Sequence, residues 1–136
     1  MDIEAVRSGL AANAKAITGL ICLPYTPDSV TPPMFFVAEY EIDFDRAFGR
    51  GLDELTATCR VLVSHATDKQ AQAKLDQYLT GGGPRSLKAA LQSDRTLGGA
   101  CDDSRVTRVF GYGLYEHGTS QFFGAQLSVH VIGSGA

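Results

Sequence analysis

The sequence predicts an α+β fold: a mostly antiparallel β-sheet with helices packed on one face, in the order α-β-β-β-α-α-β-β. Three observations predict it. Two long stretches near the C-terminus, 102–115 and 120–132, alternate in character around a short turn signal, EHGTS. A third alternating stretch spans 52–64. Two other segments, 2–18 and 67–78, repeat apolar residues every three or four positions. A period of two marks a half-buried strand and a period of 3.6 marks a helix. Hairpin-linked strands with separate helices fit helices on one side of an antiparallel sheet. The 136 residues suit one domain, 1–136, with no internal repeat or dividing linker.

The first element is a helix from Asp2 to about Thr18. Asp2 caps it, and Glu4 sits in the first turn, where the helix dipole favours an acid. Ile3, Val6, Leu10, Ala14 and Ile17 form one apolar stripe, bordered by polar Asn13. A narrow stripe suits a helix lying on a sheet with its other side in water. Gly19 ends it. Leu20–Tyr25 is a short strand. Thr26–Pro33 contains three prolines and is read as an extended, solvent-facing connection. Met34–Glu39, MFFVAE, is a buried strand by its aromatic and branched content.

Tyr40–Gly51, YEIDFDRAFGRG, is read as a long loop. Two readings stay open for it. Its aromatics fold back onto the body, or they wait with the charges for a partner. Loops of this length are uncommon in compact domains without a job.

Leu52–Ser64 is a strand. Ala57, Cys59, Val61 and Val63 make its apolar face, and Leu62 on the other side implies that the second face is partly covered. Thr67–Tyr78 is a helix, with Thr67 and Gln70 spaced as a capping box and Ala71, Leu75, Tyr78 and Leu79 on one face. Gly81, Gly82, Gly83 and Pro84 stop it. Ser86 caps a short helix from Leu87 to about Ser93, and Thr96–Ala100 turns the chain. In the closing hairpin, Phe123, Ala125, Leu127, Val129 and Val131 form one face of the second strand. Val106, Arg108, Phe110, Tyr112 and Leu114 share a face of the first. Gly111 and Gly113 leave part of the opposite face bare, which permits curvature.

Composition excludes several classes. Hydrophobic residues at 44% and charged residues at 20% argue against disorder. A net charge of -3 is wrong for a protein that binds nucleic acid by neutralising phosphates. No apolar run approaches the roughly 18 residues of a membrane span. The amphipathic, acid-containing N-terminus is not expected to be a targeting peptide, so synthesis in the cytoplasm is expected.

Chemistry is sparse. Cys22, Cys59 and Cys101 are odd in number and widely spaced, which fits buried free thiols better than disulfides or zinc. Nothing in the sequence brings His65, His117 or His130 beside a cysteine. The run GGGPRS follows a helix and lacks the Lys-Ser/Thr of a phosphate loop. Asp102 and Asp103 are adjacent and would point to opposite faces of a strand. No catalytic residue, metal or cofactor is expected. A long sheet edge is an aggregation liability unless a neighbour pairs with it, so the chain reads as a building block.

Several segments in order carry a family resemblance. They are the N-terminal helix, the proline segment PYTPDSVTPP before a buried strand, the charged loop, and a long strand ending VLVSHATD. Then come AQAKLDQYLTGGGPRSLKAALQSDRTLGGACDDSRV, a Tyr/Gly strand, and the closing strand FFGAQLSVHV. Together, over nearly the whole chain, they resemble the tail terminator proteins of long-tailed (siphovirus-type) bacteriophages of actinobacteria. The resemblance implies a structural virion protein rather than an enzyme. It implies a homohexameric ring on the last ring of tail-tube protein, which stops tube growth and joins the tail to the head-completion (stopper) protein. The location implied is the head–tail junction of the virion, after synthesis in the host cytoplasm. Genome DNA would pass through the lumen without sequence-specific binding, the tape measure protein is a further candidate partner, and no membrane is involved. The interface residues expected are Asp43, Phe44, Asp45, Arg46, Phe48 and Arg50 on the loop. On the hairpin they are Arg105, Arg108, Tyr112 and Tyr115. These follow from side-chain type and expected exposure; arginine forks suit subunit contacts. Rival readings are another head–tail joining or tail-tube protein, a small Cys/His enzyme, or a ligand-binding domain with a pocket along Met34–Val37.

Overall fold

A computed structural model describes residues 1–44 and 52–134. The elements are α1 (Ile3–Ala14), β1 (Ile21–Leu23), β2 (Met34–Asp43), β3 (Leu52–His65), α2 (Ala71–Leu79), α3 (Leu87–Leu91), β4 (Asp103–His117) and β5 (Ser120–Ser134). The five strands form one sheet in the order β1-β2-β3-β5-β4. β1 runs parallel to β2, and every other neighbour is antiparallel. The α+β class and the element order are those the sequence predicts.

Asp2 caps α1 as expected, its Oδ1 accepting the N–H groups of Glu4 and Ala5 at 3.0 and 3.3 Å. The helix ends at Ala14, earlier than predicted. Tighter bonds from Ala16 to Asn13 and from Ile17 to Ala14 replace the α pattern and tuck Ile17 into the core. Asn13 does more than border the stripe. Its Nδ2 donates to the carbonyls of Leu91 and Asp94 at 3.1 and 2.9 Å, which ties α1 to the end of α3.

The predicted loop from Tyr40 is a correction. Tyr40–Asp43 continue β2, paired with Ala57 to Glu54 of β3. A register shift between Val37 and Glu39 changes which residues face the helices. Beyond it Ile42 turns toward the core, while Glu39, Glu41 and Asp43 are exposed. The charges at alternate positions disguised a strand as a loop.

The capping box at Thr67 and Gln70 does not form, and α2 starts only at Ala71. Asp68 takes over: its carboxylate accepts the Gln70 N–H and a Lys74 ammonium bond, each at 2.9 Å. The Lys74 bond first, then the Gln70 N–H, hold its pKa down at about 2. Ser86 does cap α3, accepting the Ala89 N–H at 3.2 Å. That helix stops at Leu91, short of the predicted Ser93, whose hydroxyl instead donates to the Ala90 carbonyl.

The hairpin turn is tighter than EHGTS suggests, because His117 already pairs with Ser120. Register shifts at Val106/Arg108 and Phe110/Gly113 also break the predicted faces of β4. Val106 lies opposite Val129, on the helix side. Arg108 lies opposite Ser128 and Phe110 opposite Gln126, on the other side.

The main core lies between the helices and the sheet. It joins Val6, Leu10 and Ile17 of the N-terminal segment, Leu75, Leu87 and Leu91 of α2 and α3, and Phe35, Cys59, Val61, Leu127 and Val131 of the sheet. A second, smaller cluster of Met34, Phe36, Leu62 and Phe122 lies on the opposite face, under Leu23, Val30 and Tyr115. The partial cover inferred from Leu62 is therefore present.

Candidate assembly interface

β4 is the outermost strand on one side of the sheet. Its first residues are sealed. The Val106 N–H donates to Gln92 Oε1 at 3.0 Å, and the Ser104 carbonyl accepts from Arg95 Nε at 3.2 Å. Arg95 also forks onto Asp103, with both bonds at 2.8 Å. Past Val106 the strand carries large exposed apolar groups: Val109 at 40%, Tyr112 at 46% and Leu114 at 54% exposure. Three such side chains on one edge strand are more than scattered surface apolarity requires.

Of the predicted hairpin residues, Arg105, Arg108 and Tyr112 are exposed. The Arg108 guanidinium lies 4.4 Å from the Phe110 ring centroid, which restricts a long side chain. Tyr115 is half-buried and engaged within the fold. Its hydroxyl donates to the Gly111 carbonyl and accepts from Gln126 Nε2, and Arg60 stacks 4.8 Å from its ring. Gly111, with φ +67°, makes that loop-back possible, since an added Cβ there would meet the Tyr115 hydroxyl.

Of the predicted loop residues, Asp43 ends β2 and is exposed, and Phe44 is 71% exposed. Asp45, Arg46, Phe48 and Arg50 lie outside the described residues. The two candidate surfaces are not adjacent within one chain, because β3 and β5 separate β2 from β4.

Two residues escaped the sequence reading. Glu39 and Glu41 are exposed and lie with Asp43 on the sheet face away from the helices. Glu39, Thr58, Ser128 and Arg108 make one row across that face through successive strand pairs. They help line a groove of about 220 Å³ with Glu41, Thr56 and Phe110. The signal was present as the period-two pattern Glu39-Tyr40-Glu41-Ile42-Asp43. Tyr40 turns to the helix side, where Arg7 of α1 sits 4.8 Å from its ring and 5.1 Å from that of Tyr25.

The cysteines are buried free thiols, as expected. Burial raises Cys59 to about 12 and Cys22 and Cys101 to about 11. The Cys22 and Cys101 thiols donate to the carbonyls of Leu20 and Arg95. The histidines sit elsewhere. His130 lies across the sheet from Cys59, 3.6 Å from Glu54. His65 stacks on Phe122 at 4.8 Å, and His117 Nε2 contacts the Asp28 carbonyl at 3.0 Å. Met34–Val37 is filled with its own packing, split between the two cores. A cavity of about 630 Å³ lies between Pro32, Pro33, His65, Tyr78 and Arg85. Its basic groups are already engaged, Lys74 with Asp68 and Arg85 with the Tyr78 hydroxyl.

No protein-family model matches this chain, and no curated protein matches it either. Among the described residues, no helix is long and apolar enough to cross a membrane.

Proposed function

We propose that the chain is a structural virion protein of the tail-terminator type. In this reading, copies form a hexameric ring on the tip of a tail tube, stop its polymerisation and join the tail to the head-completion protein. The observation that carries the reading is the segment order running from PYTPDSVTPP through LDQYLTGGGPRSLKAALQSDRTLGG to FFGAQLSVHV. The exposed apolar edge of β4 supports it, because Val109, Tyr112 and Leu114 on one edge strand offer surface that a neighbour can cover. A tube tip, a stopper and a neighbouring copy are the partners this reading assigns. DNA passes the ring without a phosphate clamp, consistent with the net charge of -3.

The test is genetic. Virions assembled without this protein are expected to carry over-long or headless tails, measured in electron micrographs. Tails of normal length, joined to heads, would contradict the proposal.

A further inference from the structure

We infer that copies of this chain associate head to tail, the free stretch of β4 in one copy pairing with the outer edge of β2 in the next. This rests on the assembly reading above and adds to it the surface and the mode of contact.

Two incomplete edges motivate it. β1 pairs with β2 only as far as Phe36, so among the described residues no strand lies outside β2 from Ala38 to Asp43. At the other side of the sheet, the caps from Gln92 and Arg95 stop at Val106 and the strand continues to His117, with a register shift between Phe110 and Gly113 where the Gly111 carbonyl already accepts the Tyr115 hydroxyl. A strand edge presents unpaired N–H and C=O groups that a second chain can complete.

Direction agrees with this pairing. β2, β3, β5 and β4 are related by three successive antiparallel pairings, so β4 runs opposite to β2. A second copy set beside the first in the same sense brings its β2 antiparallel to β4.

Charge selects the partner edge. The β2 edge carries Glu39, Glu41 and Asp43, while β4 carries Arg108 just past its capped residues and Arg105 among them, and all five are exposed on the same sheet face. Pairing β2 with β2 would set acids together. Opposite charges across neighbouring strands stabilise and like charges destabilise. The β4-to-β2 contact matches acid to base, and it is heterologous, so its repetition closes a ring when the rotation from copy to copy closes.

Charge exchange in the full-length protein tests this. One variant carries Glu39→Arg and Glu41→Arg; the other carries Arg105→Glu and Arg108→Glu. Association is followed by sedimentation at low salt and by cross-linking on purified tails. Each variant alone is expected to associate at least about tenfold more weakly than the wild type. A one-to-one mixture is expected to recover association, because each β4 edge then finds an opposite β2 edge. Thermal melting reports folding, and neutral Gln replacements substitute for any variant that unfolds. Wild-type association should also weaken as salt rises. Variants that associate like wild type, or a mixture as weak as its components, would overturn the edge pairing and leave the ring reading intact. A wild type that self-associates neither in solution nor on tails would remove both.

Discussion

Cys59 is 0% exposed in the centre of β3, and burial alone lifts its pKa from an ordinary 9.0 to about 12. A raised folded-state value means that the folded form holds its proton more tightly than the unfolded one. The contribution is intact below pH 9 and is lost as pH rises through that value toward 12. Alkaline titration of stability should therefore fall less steeply for Cys59→Ala than for the wild type. Equal slopes in urea unfolding across that range would contradict it. At neutral pH the thiolate is too scarce for Cys59 to react with thiol reagents before unfolding. Its burial was legible because it alternates with Ala57, Val61 and Val63. The role of Tyr115 was not, since the Gly111 carbonyl reaches its hydroxyl only through a register shift in β4.

Each helix is seated by a few apolar residues at helical spacing. Leu75 is fully buried where α2 meets the sheet and joins the same core as Leu87 and Leu91 of α3. Leu75→Ala is expected to cost about 2–5 kcal/mol in denaturant unfolding, because the cavity collapses only partly. A loss below about 1 kcal/mol would mean that α2 is only loosely held. The existence of every element was legible, while several boundaries were not. The Thr67-x-x-Gln70 spacing satisfied a capping rule, but Gln70 is the N-cap and makes no side-chain cap bond, while Asp68 accepts the Gln70 N–H and pairs with Lys74. Tyr40–Asp43 were misread because Glu39, Glu41 and Asp43 face water and a shift at Val37 interrupts the alternation. Local propensity does not report such shifts; pairing with Ala57 to Glu54 imposes them.

At the scale of the molecule, the sheet has a helix-covered face, a partly covered face and two unequal edges. One edge is a three-residue strand paired with only Met34–Phe36 of the ten-residue β2, and the other is a fifteen-residue strand capped at its start. Arg105, Arg108 and Tyr112 were legible as surface residues from type and spacing. Glu39 and Glu41 were not, because an edge is defined by which strands end up as neighbours. The strand order β1-β2-β3-β5-β4 is a long-range property that no local pattern reports. With opposite charges on opposite edges, the smallest closed assembly using both is a ring rather than a two-fold dimer. The most direct measurement is the position of this protein on purified tails, found by electron microscopy with a label fused at its C-terminus. A compact ring of label at the head-proximal tip, and nowhere else, is the result expected. Label spread along the tube, or absent from tails, would contradict the assignment.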